Sequence, residues 1–198
     1  MGKIKSALEI ALERTESVKS DKDSIALFQA KQKGKKLANE FIDGEIDSLE
    51  NEIKKEPQSV QGSLKQGVFD VLLSRIALPV VKDDLKRIER ASAALAQIVA
   101  AKSFGEIAKQ FTQFMSQYLD EAAHYEEAVK QQYAPKLRQK EEELSRRLGR
   151  QLTIDPLQDP EFVALLSQHI SALKENYQAV ADQVKQEAQR LFNAPEKA

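Results

Sequence analysis

Glu121 and His124 lie three residues apart in Asp120-Glu121-Ala122-Ala123-His124-Tyr125-Glu126-Glu127, the Glu-x-x-His spacing that puts two metal ligands on one helix face in carboxylate-bridged bundles. Such a site needs a second Glu-x-x-His on another helix. The only other histidine, His169, has Leu166 three residues before it. Glu121 and His124 are therefore half a motif, and their expected role is a boundary pair beside the Tyr125 seam. His169 is expected partly buried at the edge of its own seam. With no cysteine there is neither a thiolate metal site, nor a disulfide framework, nor a cysteine nucleophile. No nucleophile elbow or dinucleotide fingerprint is present. Gly62 and Gly67 have the glycine spacing of a phosphate loop, but Val68-Phe69 follows where Lys and Ser/Thr are required. The sequence predicts no enzyme, no cofactor and no metal.

Two basic clusters are the remaining candidates for interaction. Lys31, Lys33, Lys35 and Lys36 surround Gly34, and at 100° per residue they scatter around a helix rather than forming one stripe. The expectation is a solvated waist that projects beyond the bundle or bends at Gly34. Lys82, Lys86, Arg87 and Arg90 fall on one side of a helix, opposite its apolar seam, which makes them a solvent face first. Their sum is cancelled elsewhere: 30 Lys and Arg stand against 31 Asp and Glu over 198 residues, so there is no global basic field for nucleic acid.

These residues have to be positioned by helices. Strong helix formers dominate, no stretch alternates with a strand period, and no repeat recurs at a fixed spacing. The expectation is an all-α fold: an elongated bundle of about five to six helices with long coiled-coil-like hairpins, no β-sheet, and one domain over 1–198. Its parts would be N-terminal long helices over 3–55, central helices over 63–101, and a C-terminal hairpin of 103–149 and 160–193.

Within this frame, Ile4, Leu8, Ala11, Thr15 and Val18 mark a first helix, and Ser20 with Asp23 predicts a restart. The second helix runs to about Lys55 and stops at Pro57. A connector follows to about Gln66, then a short apolar helix from Val68 to Leu78. Pro79 is placed as the first residue of the next helix or as a kink in a continuous one. Ser103 and Glu106 read as a capping box, and Pro135 as a break in the helix that box opens. Asp159-Pro160 predicts the start of the last helix. Its seam is Val163, Leu166, Ile170, Leu173, Tyr177, Val180, Val184 and Leu191, interrupted by Glu187.

No apolar run is long enough to cross a membrane, and the N-terminus lacks a secretory apolar region, so a cytoplasmic location is expected. Met1-Gly2 with Ser6 meets the short myristoylation pattern, which carries little weight without a second anchoring signal. The leading expectation is a non-enzymatic scaffold acting through helix–helix contacts, a homo-oligomer or the partner of another helical protein. The alternative is an amphipathic-helix module for an anionic or particle surface, or the stalk of a membrane complex. A carboxylate-bridged metal protein comes third.

Overall fold

The computed structural model describes residues 7–194; for residues 7–22 and Lys102 it describes the backbone alone. Six α-helices and no strand occur among the described residues. They are α1 (Ala7–Asp43), α2 (Leu49–Lys54), α3 (Gln58–Ser74), α4 (Lys82–Val99), α5 (Lys102–Leu148) and α6 (Pro160–Phe192), with a single 3-10 turn at Pro156–Gln158. At about 1.5 Å per residue α5 is roughly 70 Å long and α1 roughly 55 Å, so the molecule is elongated.

Several helix boundaries differ from those the sequence predicts. The helix does not restart at Ser20: α1 runs through Ser20–Asp23 unbroken, because a capping residue stops a helix only where the backbone leaves helical φ/ψ. The seam from Leu8 to Val18 lies outside the described side chains, and Ile4 and the Met1–Ser6 pattern lie outside the described residues. Nor does this helix reach Lys55. Gly44 ends it with φ 87°, a conformation glycine adopts without steric cost, while the Gly44 and Glu45 N–H groups donate to the Phe41 and Glu40 carbonyls at 3.1 and 2.8 Å. Ser48 then caps α2 by accepting from Asn51 N–H at 3.3 Å.

The predicted connector over 56–66 is mostly helix, since α3 begins at Gln58 and carries Gly62 and Gly67 inside it. Gly34 is no solvated waist. It is buried where α1 crosses α3: a Cβ on Gly34 would lie 2.1 Å from the Leu64 carbonyl oxygen, and one on Gly67 would lie 2.0 Å from that of Lys31. The two glycines bring backbone against backbone, and only a residue without a side chain fits at either place.

Pro79 does not open α4, which begins three residues later at Lys82. Asp84 secures that start by accepting from Val80 and Val81 N–H at 2.8 and 3.0 Å, and these bonds hold its carboxyl below the usual range. The Ser103–Glu106 box is not used either. The helix starts at Lys102 after Ala100 turns through a left-handed φ of 55°, which places Ser103 already inside α5. Pro135 does not break α5. It sits exposed inside the helix, where it removes one backbone hydrogen bond and leaves the buried face to hold the helix together. Asp159 and Pro160 do open α6: the Asp159 side chain accepts from Glu161 and Phe162 N–H at 2.9 and 3.4 Å.

Two apolar clusters follow from this arrangement. The larger takes Ala30–Ile42 of α1, the inner faces of α2, α3 and α4, α5 as far as Leu119 and α6 from Leu173 onward. Phe69 stacks on Phe192 at 4.0 Å, and Phe114 on Tyr177 at 4.2 Å, tying α3 and α5 to α6. The smaller is separate: Val129, Tyr133 and Phe162 are buried together, with Leu137, Leu165 and Leu166 against them. The molecule is thus a six-helix body from which the far half of α5 and the near half of α6 continue as a two-helix arm.

Candidate functional site

In the arm, sequence spacing brings Tyr133, Lys136 and Lys140 onto one side of α5, one turn apart, opposite the start of α6. Lys140 Nζ donates to Asp159 Oδ2 at 2.6 Å, to the Tyr133 hydroxyl at 2.8 Å and to Glu161 Oε2 at 3.1 Å. The Tyr133 hydroxyl donates to Glu161 at 3.2 Å, and Lys136 closes the cluster on Glu161. Asp159 has only 5% of its surface exposed and also caps α6, so its charge is held by a helix N-terminus as well as by Lys140. The hydrogen bond from Lys140 holds the Asp159 carboxyl below its usual range, and bonds from Lys136 and Lys140 do the same for Glu161. Lys140 is pushed up in turn, first by Asp159 and then by Tyr133. The cluster joins α5 to the start of α6 and acts as a clasp between the two helices of the arm.

The loop between α5 and α6 is pinned by side chains of the same helix. Glu141 accepts from Ile154 N–H at 2.8 Å and Ser145 from Leu152 N–H at 3.1 Å. Sequence reasoning noticed Asp159 as a helix start but missed its lysine partner, because Lys140 lies 19 residues earlier and nothing local joins the two.

The structure distributes the predicted interaction residues among separate contacts. Lys31 pairs with Asp70 at 2.9 Å, and Lys33 with Glu56 at 2.6 Å, both across to the segment containing α3. Burial works against the Asp70 charge, but hydrogen bonds from Lys31 and Gln66 outweigh it and hold the carboxyl below its usual range. Lys36 is exposed and reaches Glu40 at 3.5 Å; Lys35 is half-buried. Lys82 and Lys86 are exposed on α4. Arg87 meets Asp43 at 3.0 Å, and Arg90 donates to the Phe41 carbonyl at 3.0 Å with its guanidinium 5.1 Å from the Phe41 ring. Both arginines therefore clamp the C-terminal end of α1, where a cation suits the helix dipole.

Glu121 and His124 are exposed on α5, and Glu121 faces Tyr177 of α6. Burial, helped by the Glu121 carboxylate, pushes the Tyr177 phenol up to about 12. Tyr125 is itself 44% exposed, so the seam buried at Tyr118 and Val129 opens to solvent beside His124. His169, expected half-buried, is exposed as well. Among the described residues no three His, Asp or Glu side chains stand close enough together to hold a metal ion.

A groove of about 510 Å³ runs between α4 and α5 on the surface of the body. Ser92, Ala93 and Ala96 line one wall and Gly105, Ala108 and Thr112 the other. Glu89 and Lys109 add opposite charges to it. Thr112 spends its hydroxyl on the Ala108 carbonyl at 3.1 Å. Ser92, 2% exposed, carries the buried side-chain oxygen that finds no hydrogen-bond partner among the described residues.

An all-helical body with a clasped two-helix arm and an open groove defines a class of protein by shape. No helix among the described residues is long and apolar enough to cross a membrane. The chain belongs to a family of unknown function, DUF6657, whose profile matches residues 50–190, taking in α3 to α6 and leaving α1 outside the match. No curated protein and no solved structure matches it.

Proposed function

We propose that this chain is a non-enzymatic helical scaffold that acts through helix–helix contacts and self-associates. The observation that carries the reading is the middle of α1, just before its buried face begins at Ala30, where Ile25, Leu27 and Phe28 are 56%, 40% and 63% exposed. Three large apolar side chains within four positions are what an unfilled interface leaves open to water. The clasp at the far end of the arm supports the same reading, because it stiffens a long hairpin without presenting a reactive group. Such a scaffold would work in the cytoplasm.

The alternative of an anionic surface draws less support. Lys31, Lys33, Arg87 and Arg90 are already engaged within the chain, which leaves Lys82 and Lys86 as the exposed basic pair of α4. Light scattering coupled to size exclusion tests the reading: a mass that is a multiple of 22.3 kDa and rises with concentration is expected. A monomer at every concentration would overturn it.

A further inference from the structure

The α4/α5 groove and the outer face of α1 complement each other in shape and charge. The groove is concave and lined by small residues, so a second copy of the same groove cannot fill it; a convex helix ridge can. Ser92 lies beneath the groove floor with its hydroxyl shut off from solvent. Glu89 lies at one end.

On α1 the buried residues Ala30, Gly34, Leu37 and Ala38 face α3 and its neighbours. Ile25, Phe28, Gln29, Gln32 and Lys36 fall on the opposite side by the 100° helical period, and all five are exposed. This strip reads apolar at its N-terminal end, amide in the middle and cationic at its C-terminal end. Run antiparallel to α4, Lys36 comes opposite Glu89, Gln32 opposite Ala93 and Gln29 opposite Ala96, since the steps between them match along both helices. Ile25 and Phe28 reach beyond Ala96 toward the end of α4.

We propose that the outer face of α1 in one copy of this chain seats antiparallel in the α4/α5 groove of a second copy, with Lys36 against Glu89 and Gln32 over Ala93. This rests on the self-association reading above and names the surfaces that carry it.

The chain has no cysteine, so single cysteines report unambiguously. Chains carrying Gln29→Cys and chains carrying Ala96→Cys are mixed and oxidised; a disulfide-linked species of twice the chain mass, formed in the mixture and not from the Ala96→Cys chain alone, is expected. In parallel, Lys36→Glu should weaken self-association by about fivefold to tenfold, and adding Glu89→Lys to the same chain should restore it. Both substitutions lie on exposed sites, and far-ultraviolet circular dichroism verifies that the variants fold. If the chain self-associates, yet Lys36→Glu leaves the association unchanged and no mixed disulfide forms, this pairing is wrong while the scaffold reading survives. If the chain is monomeric at every concentration, both fail.

Discussion

The body and the arm hold their helices together by different means. In the body, α3, α4, α5 and α6 share one continuous apolar core, with Phe69 on Phe192 and Phe114 on Tyr177, and α1 joins it through the Gly34–Gly67 crossing. In the arm, three buried side chains, Val129, Tyr133 and Phe162, stand beside a polar clasp of Lys136, Lys140, Asp159 and Glu161. Two helices can cover only one stripe of each other, so a hairpin that leaves its bundle has little apolar area to bury. Charge and capping then take on the task of fixing where α6 begins. The difference teaches that the body's stability is collective, whereas the arm's is local and depends on a few named groups.

Core truncation separates the two most strongly. Phe111→Ala should destabilise the whole body by about 3–5 kcal/mol in chemical denaturation. Phe162→Ala should instead speed amide exchange over the arm, residues 129–166, and leave the body's exchange unchanged. A matching loss of protection in both regions would show that arm and body unfold as one unit.

Replacing Pro135 by alanine restores a backbone donor within α5 and should stabilise the arm by up to about 3 kcal/mol, read as slower amide exchange around residue 131. No change would mean that the helix has already relaxed around the proline.

The two glycines of α3 divide the body itself. Gly67→Ala would drive a methyl group into the Lys31 carbonyl and should cost about 1–3 kcal/mol despite alanine's better helix propensity. Gly62→Ala meets nothing within 4 Å and should stabilise by up to about 1 kcal/mol. Equal effects at both positions would contradict the close crossing.

Acid gives the mildest separation. Asp159 and Glu161 are held below their usual carboxyl range in the folded chain, so their contribution is complete above the unfolded carboxyl range near pH 4. It is lost as the pH falls through the lower folded values. Amide exchange in the arm, corrected for its intrinsic pH dependence, should therefore lose protection below about pH 4 before the central body helices do. Lys140→Met should remove much of that pH dependence.

The fold was legible where one physical signal dominated. Asp159-Pro160 opens α6 as its residue types require, since a carboxylate cap and a proline at the first helical position satisfy the same helix end. Boundaries failed where a local signal met a tertiary one. Ser20 and Ser103 could cap but sit inside continuous helices, and Pro135 could break α5 but is exposed on a helix whose other face is buried. The candidate site was less legible still, because the Lys140 clasp, the Arg90 clamp on Phe41 and the α4/α5 groove all join residues distant in sequence.

By itself the sequence determined helix everywhere, the lack of thiol chemistry and the near-cancellation of charge, since these depend on propensity, periodicity and composition summed over many residues. Only the tertiary structure decided which lysines are engaged, which glycines are contact points and which apolar residues remain exposed. Those outcomes depend on which helix faces meet, and helical period fixes a face without naming its partner.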